Sequence, residues 1–83
     1  MKTRELLYAL IKNNLSVIYE NEKISSETDL IKDLGFDSIT IIQLILDIEE
    51  TFDIEINDEI EYEELVLVGK LEKLIIDKLK KRA

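Results

Sequence analysis

The chain has 83 residues, with 19 acidic and 11 basic side chains and a net charge of −8 at pH 7, enough for one small domain with a modest core. It contains no cysteine and no histidine, which excludes disulfides, thiolate metal sites and any Ser-His-Asp or Cys-His catalytic arrangement. The charge disfavours nucleic acid and anionic membranes as partners and favours basic protein surfaces, and no run suits stable membrane insertion or a signal peptide, so a cytoplasmic setting is expected.

Residues from about Thr3 to about Tyr19 predict an amphipathic first helix. Leu6, Leu7, Leu10, Ile11, Leu15 and Ile18 recur at three- and four-residue spacing. Thr3 is the expected N-cap and Glu5 suits the first turn, while Asn13 and Asn14 are weak helix formers. From Glu20 to Asp37 the periodicity fades into a long connection rich in turn residues, Ser25, Ser26, Thr28 and Asp29. Ile24, Leu30, Ile31 and Leu34 are expected to pin it to the core, with a single helical turn after Thr28 or Asp29.

A second helix is predicted from about Ser38 to about Thr51. At 100° per residue, Ile41, Leu44, Ile45, Ile48 and Phe52 share one face, the core stripe. Ile39, Ile42 and Leu46 fall nearly opposite, in line with Glu49, Glu50 and Asp53. Two readings of this second stripe are open. Either the long loop covers it, or it is an exposed apolar strip fringed by carboxylates, the composition of a protein-docking surface.

Phe52 to Asn57 alternates like a strand, but no second strand is evident to pair with it, so an extended link pinned by Ile54 or Ile56 is expected. Asp58 is read as the cap of a short third helix through about Glu63, anchored by Ile60. A last helix, with Gly69 in or near its start, keeps Val66 or Val68, Leu71, Leu74, Ile75, Lys78 and Leu79 at helical spacing. The expected fold is all-α: a small four-helix bundle, three main helices plus one short one, with a long loop between the first two. Residues 1–83 read as a single domain.

Charge is unevenly placed. Between Lys32 and Lys70 there is no basic residue, whereas Lys70, Lys73, Lys78, Lys80, Lys81 and Arg82 crowd the end. Basic residues there complement the dipole of the last helix.

The candidate chemistry centres on Asp33-Leu34-Gly35-Phe36-Asp37-Ser38-Ile39. A glycine-bearing loop delivers an Asp-Ser pair to the start of the most apolar helix. A serine there faces a helix N-terminus, which favours negative charge and suits a phosphate-containing group. As a hydrolase nucleophile Ser38 fails, since the glycine spacing is wrong and no histidine exists as base. The plain alternatives are an N-cap or a phosphorylation site. Asp53, Glu55, Asn57 and Glu64 imitate the spacing of a calcium loop. Asp58 stands where that loop needs glycine, however, and Ile54 and Ile56 occupy positions that are usually polar, so no metal site is assigned.

The Asp33–Ile39 segment resembles the attachment motif of the acyl carrier protein family, Leu-Gly-x-Asp-Ser-Leu/Ile. The spacing from Ser38 to Glu49-Glu50-Thr51-Phe52-Asp53-Ile54-Glu55-Ile56, the helix order and the length are also similar, so the resemblance covers nearly the whole chain. It implies that Ser38 receives 4′-phosphopantetheine from coenzyme A through a phosphopantetheinyl transferase and that the protein carries acyl groups as thioesters rather than acting as an enzyme. It implies that Asp37 is the motif aspartate beside the attachment site and that Ile39, Gln43, Leu46, Glu49 and Glu50 lie on the helix read by partners, a face to which the wheel adds Ile42. The implied partners are the transferase, and acyl-transferring and acyl-modifying enzymes with basic patches. A monomer is expected, serving fatty-acid, polyketide or related biosynthesis. The chain departs from the common fatty-acid pattern at Thr40 and Gln43, where acidic residues are frequent, at Asn57, often proline, and at Leu65-Val66-Leu67, where Thr or Ser commonly caps. A peptidyl or aminoacyl carrier of a nonribosomal-peptide or D-alanylation pathway, and an unmodified acidic interaction module, stay open as alternatives.

Overall fold

The computed structural model describes residues 2–56 and 65–82. Among the described residues the elements are three α-helices, α1 (Lys2–Asn13), α2 (Ser38–Phe52) and α3 (Val68–Arg82), with one 3-10 turn at Val17–Tyr19. There is no strand among the described residues, only an isolated antiparallel bridge between Asp29 and Leu67. The fold is all-α, with a long loop between α1 and α2. The short helix expected from Asp58 to Glu63, with its anchor Ile60, lies outside the described residues, as do Asn57 and Glu64 of the calcium-like spacing. No helix of the described residues is long and apolar enough to cross a membrane.

α1 is shorter than its apolar spacing predicts. It begins at Lys2, so Thr3 lies inside it and not at its cap, and it ends at Asn13. The asparagines explain the end. The Asn14 side-chain amide donates to the Leu10 carbonyl at 2.9 Å, satisfying a carbonyl of the last turn, and to Asp47 Oδ2 on α2 at 3.1 Å. Leu7 and Ile11 are fully buried, whereas Leu6 and Ile18 stand in solvent, contrary to expectation. A side-chain pair fastens α1 to α3: Arg4 Nε donates to both carboxylate oxygens of Glu72, at 3.2 and 3.1 Å, and Glu72 is largely buried.

The long loop is held from inside. Leu30, Leu34 and Phe36 are buried and Ile24 packs against the core, while Ile31 points outward. The expected helical turn after Asp29 is present. Asp29 Oδ1 accepts from the N–H groups of Ile31 and Lys32, both at 2.8 Å, and the N–H of Asp33 donates to the Asp29 carbonyl at 2.8 Å. The same loop is stitched to the start of α3. Leu30 N–H donates to the Val66 carbonyl (2.8 Å), Val68 N–H to Thr28 (3.0 Å) and Gly69 N–H to Ser26 (2.8 Å). Loop carbonyls thus take up N–H groups that the first turn of α3 cannot pair within itself.

α2 buries Ile41, Leu44, Ile48 and Phe52, with Ile45 at the margin, which is the expected core stripe. It ends on Asp53 in the left-handed region (φ 54°), where the N–H groups of Asp53 and Ile54 both reach the Glu49 carbonyl. Ile54 is buried and Ile56 packs against the core, so the extended link is pinned at both isoleucines. On α3, Val68, Leu71 and Ile75 are fully buried.

Gly69 allows the close approach of α3 to the loop. A Cβ there would lie 2.7 Å from the backbone oxygen of Ser26, a separation that demands backbone movement. Alanine normally favours a helix over glycine by about 1 kcal/mol. Gly69→Ala is nevertheless expected to destabilise the protein, by about 1–3 kcal/mol as overpacking does. Thermal unfolding followed by circular dichroism checks this, and a rise in Tm contradicts it.

Candidate functional site

The segment leading into α2 alternates between inside and outside. Leu34 and Phe36 are buried, while Gly35, Asp37 and Ser38 are exposed. Gly35 makes the alternation fit. It adopts φ 68°, in the left-handed region that favours glycine, and a Cβ there would lie 2.7 Å from the Tyr19 ring. Phe36 is held by its side chain in the core and by its N–H, which donates to the Leu30 carbonyl at 3.0 Å. The next two residues are therefore presented to solvent from a fixed support.

Asp37, not Ser38, caps α2. Its backbone is extended (φ −102°, ψ −179°), and its Oδ1 accepts from the N–H of Thr40 at 2.8 Å and from the Thr40 hydroxyl at 2.7 Å. These two bonds, the backbone one first, hold the Asp37 carboxyl below the usual aspartate range. The capping role weighed for Ser38 is thereby taken. Ser38 is the first helical residue, exposed, and its hydroxyl has no hydrogen bond among the described residues. Thr40, which departs from the acidic residue common at its position, has a local purpose as the second donor to the cap.

The remaining predicted site residues divide. Ile39 (78% exposed), Ile42 (59%) and Leu46 (53%) stand in solvent, so the long loop does not cover the second stripe of α2. Glu50 is exposed, and its side chain makes no hydrogen bond among the described residues. Gln43 is exposed but engaged, donating to Asp47 Oδ1 at 3.0 Å. Glu49 is half-buried, and its Oε2 accepts from the Ile56 N–H at 2.8 Å, which ties the link after α2 back to the helix. Sequence reasoning passed over Asp47, which joins Gln43 to Asn14 and so braces α2 against the end of α1. Its spacing of four from Gln43 was the available signal.

Ser38 and the second stripe of α2 lie on the exposed surface of the helix. Two surface hollows, of about 370 and 340 Å3, are lined by Asp53, Ile54, Glu55 and Lys78 and by Lys70, Lys73, Leu74 and Asp77, and neither lining includes Ser38. Among the described residues no group of three acidic, cysteine or histidine side chains could hold a metal ion. An exposed hydroxyl at a helix start, beside a carboxylate committed to the cap, fits a covalently attached phosphodiester. The positive end of the helix dipole favours the phosphate, and no neighbouring side chain must be displaced.

The cap makes a pH prediction. Asp37 has a lower pKa folded than unfolded, so its stabilising effect is full above the unfolded value, about 3.9, and is lost as pH falls through the folded value. Carbon NMR of the Asp37 carboxyl should give a midpoint below that of an ordinary aspartate. Thr40→Val, which removes only the hydroxyl bond, should raise it part of the way. A midpoint at or above the ordinary value contradicts the cap.

Residues 5–75 match the family described as "Phosphopantetheine attachment site". The chain is 40% identical over 73 residues to an acyl carrier protein of Helicobacter pylori strain J99, covering 88% of this chain and 90% of that protein. It is 43% identical over 53 residues to an acyl carrier protein of Trieres chinensis, covering 64% of each. It is 42% identical over 66 residues to the mitochondrial acyl carrier protein of Saccharomyces cerevisiae, covering 80% of this chain and 50% of that one. With the attachment-site match spanning most of its length and the Helicobacter likeness running nearly end to end, the chain belongs to the acyl carrier protein family, whose members carry 4′-phosphopantetheine covalently.

Proposed function

We propose that residues 1–83 act as one monomeric acyl-carrier domain in the cytoplasm, in which Ser38 is the residue that a phosphopantetheinyl transferase modifies from coenzyme A. The observation that supports this most is the Ser38 hydroxyl, exposed and without a hydrogen-bond partner among the described residues, at the first position of α2. Once attached, the group supplies a terminal thiol on which acyl chains ride as thioesters, chemistry that a cysteine-free chain lacks.

The chain's own part is to hold and present. Ser38 is a passive acceptor: there is no histidine, and no described side chain reaches its hydroxyl, so the base that takes its proton comes from the transferase. Asp37 and Thr40 keep the first turn of α2 formed around it. Leu34 and Phe36 fix the loop on the other side.

Partner choice falls to the exposed stripe of α2. Ile39, Ile42 and Leu46 offer apolar contact, and Glu50 offers charge to a basic patch. The uncharged Thr40 and Gln43 leave Asp37 as the sole charge in the first two turns and gather the acids toward the far end of the helix. The pathway we assign is fatty-acid, polyketide or related biosynthesis. Phe36-Asp37 before Ser38 leans away from the Gly-Gly-x-Ser of peptidyl carriers. The same stripe is also what an unmodified docking module would use, and this is the second reading.

A mass spectrum separates the two. Incubated with coenzyme A and a broad-specificity transferase, the chain should gain one phosphopantetheine, and Ser38→Ala should gain none. No gain under conditions that load a control carrier leaves the docking module. Glu50→Lys should raise the KM of this loading about fivefold at low salt, an effect that shrinks with added salt while helicity is unchanged. A KM independent of that reversal contradicts the role of the face. Glu50 is the clean probe, because Glu49 also serves the backbone at Ile56.

A further inference from the structure

Two large apolar side chains outside α2 are more than three-quarters exposed. Val17 is 76% exposed and Ile18 81%, as open as the most exposed member of the α2 stripe. Neither is pendant. The backbone around them is closed by hydrogen bonds from Tyr19 N–H to the Ser16 carbonyl (2.9 Å), from Glu20 N–H to Val17 (3.1 Å) and from Glu22 N–H to Tyr19 (3.0 Å).

Their position beside α2 is fixed at both ends. Before them, Asn14 is bonded to Asp47 at 3.1 Å. After them, the Tyr19 ring lies over Gly35, close enough that a Cβ on Gly35 would meet it at 2.7 Å. Asp47 follows Ser38 by nine residues, about 13 Å along the helix at 1.5 Å per residue, and Gly35 precedes Ser38 by three. The chain from Asn14 to Tyr19 therefore runs alongside α2 from the level of Asp47 back toward Ser38. Val17 and Ile18 lie between these two anchors, on the segment that joins the Asp47 brace to the loop just before Ser38.

We propose that Val17 and Ile18 extend the partner surface from α2 onto the loop, so that a partner working at Ser38 grips an apolar collar made of two separate segments. The proposal rests on Ser38 being the attachment residue, and its occupant is the phosphopantetheinyl transferase. A protein that reacts at Ser38 must cover the ground around it. An interface of ordinary size, roughly 800 Å2 per partner, is a disc of roughly 16 Å radius, wide enough to take in both segments. Charge sets the kind of surface that fits. Glu20 and Glu22 follow the loop pair and are exposed, offset in part by the exposed Lys23; Glu50 lies along the stripe, and no basic residue occurs from Asp33 to Gly69. The matching surface is an apolar recess with a basic rim.

The test measures loading by a broad-specificity transferase with coenzyme A at varied carrier concentration. Val17→Ser/Ile18→Ser should raise KM about tenfold with kcat nearly unchanged, as loss of apolar anchors does. Ile18→Ser alone should give part of that rise. Leu6→Ser, which removes a partly exposed apolar side chain (44%) from α1, should leave KM alone, and all variants should keep the parent Tm. A double-variant KM within about twofold of the parent, with the parent loaded normally, overturns the loop surface and leaves the Ser38 reading standing. A parent chain that is not loaded at all overturns both.

Discussion

The short backbone ladder between residues 26–30 and 66–69 sets the geometry on which the rest relies. Of its three hydrogen bonds of 2.8 to 3.0 Å, two give the N–H groups of Val68 and Gly69 loop carbonyls as partners, and the third runs from the Leu30 N–H to the Val66 carbonyl. They also stop an otherwise long loop from wandering, whose free closure would cost entropy without fixing its far end. Gly69 is the residue that lets the two backbones meet. With the loop anchored, Leu30, Leu34 and Phe36 can enter the core, and Gly35 turns the chain under Tyr19. Asp37 then caps α2 and Ser38 is left outside. The attachment candidate is thus positioned by hydrophobic pins on one side and by a carboxylate cap on the other.

Function follows from what this support leaves uncovered. α2 buries one apolar stripe and exposes another, an arrangement a small domain does not need for its own stability. The exposed stripe begins next to Ser38 and ends among acids. A carrier has to be read by several enzymes in turn, and weak, charge-steered, partly apolar contact suits repeated exchange better than a tight interface. Asp47 keeps the platform in place by bracing α2 to the end of α1, while Glu49 holds the link beyond α2. Polar residues on this helix are therefore not all for partners, and only some of the carboxylates stay free to meet one.

Much of this was legible in the residues. The period of 3.6 located α2 and both of its stripes, because helical spacing alone decides which residues share a face. The same signal overran at α1. Leu15 and Ile18 kept the period, but Asn13 and Asn14 break the helix before them, and a side-chain bond from Asn14 to the Leu10 carbonyl closes it. Periodicity also put Leu6 in the core, yet it lies at the edge of the stripe. At the site, the loop, the Asp-Ser pair and the helix start were visible. Which of Asp37 and Ser38 caps was not, since both residue types cap well and only the backbone position decides. The ladder, the Arg4–Glu72 pair and the brace at Asp47 join residues 33 to 68 positions apart or depend on main-chain groups, and no local pattern announces them.

The uneven charge of the chain provides the most direct measurement of the central claim. Because no basic residue occurs between Lys32 and Lys70, trypsin releases Asp33 to Lys70 as one peptide, whose hydroxyl-bearing residues are Ser38, Thr40, Thr51 and Tyr62. Fragmentation of that peptide from protein loaded with coenzyme A assigns the phosphopantetheine to a single side chain. The account predicts all of it on Ser38, the hydroxyl left unbonded and exposed at the start of α2. Phosphopantetheine on Thr40, Thr51 or Tyr62, or a peptide that stays unmodified, would contradict it.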